Sequence, residues 1–395
     1  MALKVALIIL FLWCLSQKWN AVIARRLSAE EDLELEEQLK HLTKPAVETI
    51  LTTYGDRTTT YGDTYDCVDF YKQPAFDHPL LKNHSYHFQM KPTSYPTRRR
   101  QSNSSSVLKP KLDIWQNGKG CPTGTVPIKR VTKDDLIRAK LAAERRSHQS
   151  QISCGRLSNG KYYGAGMSSS LYNPKLVDIK SQYSSSHKIQ NGPDSLIFGW
   201  TVNPIVYRDT RTRLFLYTNA GNSHCFNTFC SGFILNRPDI PLDFAFPRLS
   251  AIGGPTVGEH FFVYKDAANG DWIFQIEFGS EFSTQVGWWP QKIFTGLANS
   301  ATYIEWGGEV YSPPNIPSPQ MGSGNIPGEH MNSLYNSFCA EMVIVDEHHQ
   351  TVNAPKVETY TDTPIIYYRA YDSGYARSDF KHVMWFGGPG GYKGN

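Results

Sequence analysis

The 395-residue chain carries little charge, and that charge is nearly balanced: Lys and Arg number 40, Asp and Glu 36, for a formal net charge of +4. A nucleic-acid binder is marked by a strong basic excess or a basic face, and neither is present. No glycine triplet and no sustained heptad appears, which excludes a collagen or coiled-coil rod. Beyond the first residues no apolar run approaches the length of a membrane span, so no stable membrane anchor is expected. The common catalytic signatures are missing: HExxH, GxSxG, GxxxxGK[ST], and GxGxxG after a strand. No CxxC or CxxH partners offer a zinc site, and neither metal nor cofactor is expected.

What is present is apolar and aromatic: 40% hydrophobic and 13% aromatic residues, with 31 Gly and 24 Pro. That apolar fraction excludes a wholly disordered chain, and the mix suits short strands and many turns. Residues 1–24 read as a signal peptide, with Lys4 before the apolar run Val5 to Leu15 and small residues Val22 and Ala24 at the cleavage point. Secretion puts the chain in an oxidising compartment. Once Cys14 is gone, six cysteines remain, an even number that favours disulfides. Cys225 and Cys230 are spaced to close a small loop, and Asn83 and Asn103 head glycosylation sequons.

Two textures divide the mature chain. Residues 25–150 are polar and irregular, with a capping box (Ser28, Glu31) opening a helix whose Leu35, Leu39 and Leu42 share a face. A second helix is expected over Thr132 to Arg146, capped by Thr132. Arg98-Arg99-Arg100 precedes a flexible QSNSSS stretch and reads as a solvated loop or a processing site. Residues 151–395 are instead a series of short aromatic and β-branched strands, with Asn269-Gly270 as a hairpin turn. The fold class is therefore mostly β: an antiparallel β-sandwich domain of catalytic type behind a smaller, partly helical prosegment domain.

Candidate chemistry lies in strand carboxylates. In TYIEWGGEVY, Glu305, Gly307, Glu309 and Tyr311 share one face if no bulge intervenes. Two carboxyls four residues apart stand ~13 Å apart along a strand, so a partner for either must come from another strand. Asp346-Glu347-His348-His349 reads as a polar turn.

Several segments, in order, resemble the neprosin family of plant secreted proteins. They include CVDFYKQPAFDHPLLKNH at 67–84, GCPTGTVPIKR at 120–130, GWTVNP at 199–204, CSGFI at 230–234, EWGGEV at 305–310 and QMGSGNIP at 320–327. The resemblance implies a zymogen with an activation peptide over the cleft and a β-sandwich glutamic peptidase that cuts after proline in acid. It implies two catalytic glutamates. One falls on Glu309; the other, three residues before Trp200, falls on Ile197. Isoleucine neither gives nor takes a proton, so half of the acid–base pair is missing. Asp194 is at an odd offset and would face away, while Glu259, Glu277 and Glu281 lie on other strands or loops. A second departure is Ala370-Tyr371, where the family often has Cys-Tyr, which alters the expected partner of Cys339.

Three functions fit. The first is a pseudopeptidase that binds proline-containing polypeptides, with Trp and Tyr residues suited to stacking on proline rings. The second is an acid-activated glutamic endopeptidase using a recruited carboxylate, and the third is a binder of wall carbohydrate. In each case the expected location is extracellular, in the apoplast or cell wall.

Overall fold

The computed structural model describes residues 28–393 apart from 54–61, 97–112, 149, 177, 222, 278–283, 329–330 and 376–379. The signal peptide, the Arg98–Arg100 triplet, Asn103 and Glu281 lie outside the described residues.

The N-terminal segment holds helix α1 (Ala29–Leu42), strands β1 (Ala46–Leu51), β2 (Thr64–Asp69) and β3 (Thr125–Lys129) in one small sheet, and helix α2 (Lys133–His148). Ser28 and Glu31 exchange the two hydrogen bonds of a capping box, 3.0 and 3.1 Å. Thr132 and Asp135 do the same for α2, at 2.8 and 3.3 Å, so both helices start where free backbone donors find side-chain acceptors.

The rest of the chain forms two antiparallel sheets. The first has seven strands in the order β17 (Glu358–Thr361), β4 (Ser150–Tyr162), β14 (Ala301–Tyr311), β6 (Gln182–Asn191), β7 (Asp194–Val202), β8 (Thr212–Ala220) and β9 (Ser223–Phe226). The second has nine: β10 (Ile234–Leu235), β13 (Thr284–Trp289), β12 (Trp272–Glu277), β11 (Gly258–Lys265), β5 (Gly164–Ser170), β15 (Ser337–Val345), β19 (His382–Gly387) and β18 (Arg369–Tyr375), with β16 (Thr351–Asn353) beside β15. Tryptophans bridge the two. Trp200 Nε1 donates to Ser169 Oγ at 3.1 Å, Trp306 to the Gly166 carbonyl at 3.3 Å and Trp289 to Thr218 Oγ1 at 2.8 Å. Each buries a large apolar ring and satisfies its one polar atom across the core. The hairpin between β11 and β12 turns through Gly270, whose φ of 78° suits glycine.

Two disulfides form, Cys67–Cys121 and Cys225–Cys230, while Cys154 and Cys339 are buried and free. An even cysteine count therefore overstates the pairing. Cys154 lies on β4 of one sheet and Cys339 on β15 of the other. Position 370 offers Cys339 no partner either. Cys339 pairs in register with Met384, position 370 with Phe386, and β19 stands between the two strands. Two strand spacings put them ~10 Å apart, beyond disulfide reach.

Candidate functional site

The outer face of the seven-stranded sheet is covered by α1 and α2. Strand alternation decides which side chains meet them. On β14, Ile304, Trp306 and Val310 are fully buried toward the sandwich core, whereas Glu305, Gly307 and Glu309 face outward. Register with both β4 and β6 runs without a shift from Tyr303 to Tyr311, so no bulge interrupts this alternation. The glycines let the backbone lie open beside Glu309: a Cβ on Gly307 would come within 2.4 Å of the Ser153 carbonyl oxygen.

A cavity of about 810 Å³ lies between helices and sheet. Its walls include Glu305 and Glu309 of β14, Ser186 and Lys188 of β6, Ser195 and Ile197 of β7, Tyr217 and Asn219 of β8, and Leu35, Gln38, Leu136 and Arg146 of the helices. Glu309 and Ile197 are thus brought into one cavity. Of the other carboxylates weighed, Glu259 and Glu277 belong to β11 and β12 of the second sheet. Asp194 is buried and accepts hydrogen bonds from Thr295 N (2.6 Å) and Leu297 N (3.2 Å), away from the cavity.

Ile197 sits in a closed apolar cluster. Leu35, Leu42, Leu136, Ala139 and Ala142 of the helices pack there with Ile197, Phe215, Tyr217, Phe226 and Phe229 of the sheet and its following loop. The stripe of leucines legible on α1 therefore docks on the sheet face that carries position 197. Polar contacts hold the same interface: Gln38 Nε2 donates to the Phe229 carbonyl at 2.6 Å, and Arg208 ion-pairs with Asp134 and with Asp135.

Arg146, from the last turns of α2, ion-pairs with Glu309, and both side chains are almost covered, at 11% and 13% exposure. Its guanidinium also lies 5.5 Å from the ring centre of Phe215 and 5.4 Å from that of Tyr217. The sequence pattern ends the second helix at Arg146 and gives that residue no role, since a contact 163 residues away leaves no local signal.

Glu305 has its own partners. Tyr303 Oη donates to it at 2.6 Å. Burial, with the Glu305 carboxylate beside it, pushes the Cys154 thiol far up, so that thiol is inert as a nucleophile. Asp362 accepts from Ile152 N at 2.9 Å. Burial, and then the charges of Glu309 and Glu305, raise its carboxyl above the usual range, against the backbone hydrogen bonds that lower it.

Further out, Asp346 accepts from His348 N and Gln350 N, each at 2.9 Å, and closes a turn. Asn83 is exposed on a turn. Among the described residues no helix is long and apolar enough to cross a membrane.

The model of the family described as Neprosin matches residues 180–389, more than half of the chain, and the one described as Neprosin activation peptide matches residues 57–164. Among solved structures, the chain is similar to Scytalido-glutamic peptidase with a peptide-based transition-state analogue. Identity is 8% and the TM-score 0.32, over 60% of this chain and 98% of that one. It is similar also to SCP-B, a member of the Eqolisin family of peptidases in complex with the tripeptide Ala-Ile-His, at 6% identity, TM-score 0.32 and the same coverage.

Proposed function

The chain belongs to the neprosin family, and from that premise we propose that it is a secreted pseudopeptidase whose cleft binds proline-containing polypeptides without cutting them. Its own prosegment would lie over the cleft. The observation that carries this reading is the surroundings of position 197. Acid hydrolysis of a peptide by a glutamic dyad needs one carboxylate to draw a proton from water and a second group to donate or polarise. Glu309 supplies one carboxylate. The other position is an isoleucine at 5% exposure, packed among the apolar residues that receive α1 and α2. Its cross-strand neighbour in the cavity is Lys188, so position 197 as it stands holds no carboxylate for that cation to face. As isoleucine, position 197 packs against the prosegment helices and moves no proton.

Secretion is supported by the leader sequence and by two disulfides in a chain of this size. The remaining aromatic and polar side chains of the cavity suit a polypeptide laid across the strands.

A second reading, an acid endopeptidase with a recruited carboxylate, is favoured by one observation. Glu305 lines the same cavity and lies in register with Ile197 across Lys188. The two readings separate in one experiment. Full-length protein at pH 3–5 is mixed with a proline-containing peptide, its binding followed by calorimetry and the peptide's integrity by mass spectrometry. Heat of binding with an intact peptide is the expected result. Cleavage after proline that disappears in Glu305→Gln would replace this proposal with the second reading.

A further inference from the structure

We propose that Glu309, Phe215 and Tyr217 form a cation-binding subsite that takes an arginine side chain of a polypeptide ligand, and that Arg146 of the prosegment is its built-in occupant. This rests on the reading of the cleft as a polypeptide-binding site and names the ligand's chemistry.

The subsite is a trough with one charged wall and one aromatic wall. Across the sheet, Phe215 on β8 is in register with Gly199, then Ser186, then Gly307 on β14. The three residues between the walls are glycine, serine and glycine, so nothing tall fills the floor. Glu309 rises beside the β14 end and Tyr217 beside the β8 end. A guanidinium laid in this trough meets a carboxylate at its edge and two ring faces within ~6 Å, the distance at which a cation is drawn to an aromatic quadrupole. Arg146 makes all three contacts.

The isoleucine at position 197 bears on what the trough selects. Ile197 lies in register with Tyr217 and, across Lys188, with Glu305, four residues along β14 from Glu309, so it extends the apolar wall at Tyr217 and leaves Glu309 as the carboxylate that meets a guanidinium there. Arginine suits it better than lysine. Its planar group stacks on rings and keeps hydrogen-bond geometry to a carboxylate, whereas an ammonium is a strongly hydrated point charge. A neutral amide of similar length can donate to the carboxylate but gains neither the ion pair nor the cation–ring attraction.

The test uses full-length protein and two probes, acetyl-Pro-Arg-Pro-amide and acetyl-Pro-Gln-Pro-amide, with binding measured by calorimetry and by the rise in Tm. Arg146→Ala vacates the trough, and there the arginine peptide should bind at least ~10-fold more tightly than the glutamine peptide. Wild type, its trough filled, should show at least ~10-fold weaker binding of the arginine peptide than Arg146→Ala does. Adding Glu309→Gln to Arg146→Ala should erase the preference. Should Arg146→Ala fold poorly, Arg146→Gln keeps the helix-favouring stem and serves in its place. Equal affinity for the two peptides, no binding of either at millimolar concentration, or equal binding by wild type and variant would each overturn the proposal. A third peptide, acetyl-Ala-Arg-Ala-amide, separates it from the broader reading. If that peptide binds as well as the proline version, the arginine subsite stands and proline recognition falls. If both proline peptides bind alike, proline recognition stands and the subsite falls.

Discussion

Replacing Arg213 with Met should cost the folded protein about 3–5 kcal/mol at neutral pH, the usual penalty for breaking a buried ion cluster on one side. Arg213 is 1% exposed. Its guanidinium reaches Asp63 of the N-terminal segment at 2.6 Å, Asp209 at 2.5 Å and the Asp243 carbonyl at 2.9 Å. Lys129 reaches Asp63 at 3.2 Å and Asp243 at 2.9 Å. Three carboxylates thus face two cations, and the substitution leaves three facing one. Methionine fills much of the lost volume, so a cavity is not the main cost.

The effect carries a pH signature. Burial pushes the Asp63 carboxyl up, but Lys129 and Arg213 outweigh it and hold it below its ordinary 3.8. A carboxyl lowered by folding contributes stability above its unfolded value, and that contribution disappears as pH falls through its folded value. The gap between wild type and Arg213→Met should therefore be widest at pH 6–7 and narrow below about pH 4. Urea unfolding at a series of pH values measures it. A loss under ~1 kcal/mol, or one of equal size at every pH, would mean that the cluster acts by packing alone.

Three further outcomes follow from named contacts. His382 lies between the Ala354 carbonyl and Asp372, each 2.7 Å away. Burial lowers its pKa, but Asp372 and that carbonyl outweigh it and raise the imidazole overall. Its contribution is complete below the unfolded value near 6.5 and fades as pH rises through the folded one, so thermal melts of wild type should decline between pH 6 and 8 more steeply than those of His382→Asn. A chain cut anywhere between residues 68 and 120, the Arg98–Arg100 triplet included, should leave its two pieces joined by Cys67–Cys121. They should separate on a denaturing gel only with reductant, and separation without it would contradict the pairing. Because such a cut also leaves Arg146 covalently continuous with β4, it should not raise peptide binding, whereas Arg146→Ala should.

The strands were legible because aromatic and β-branched runs alternate against one core: the outward set Glu305, Gly307 and Glu309 could be read from spacing alone. Both helix starts were legible from their caps. Other features depended on contacts far apart in sequence. Nothing near Arg146 tells that it meets Glu309, and nothing near Asp63 tells that it meets Arg213. The substitution at Ile197 reads in sequence as a loss. In the fold it is also a gain, because the same side chain completes the apolar seat of α1 and α2. Cysteine parity misled for a related reason. Pairing depends on which strands are neighbours, and Cys154 and Cys339 lie on different sheets.

The central claim, a peptide-binding cleft disarmed at one position, is tested most directly by restoring that position. Full-length wild type and Ile197→Glu are acidified side by side and assayed with a quenched-fluorescent peptide containing one proline, with Glu309→Gln added to each as a control. A silent wild type and an Ile197→Glu protein that cuts after proline, and stops cutting when Glu309 is also changed, is the expected pattern. Turnover by wild type that vanishes with Glu309→Gln would contradict the account and show that the cleft is catalytic as it stands.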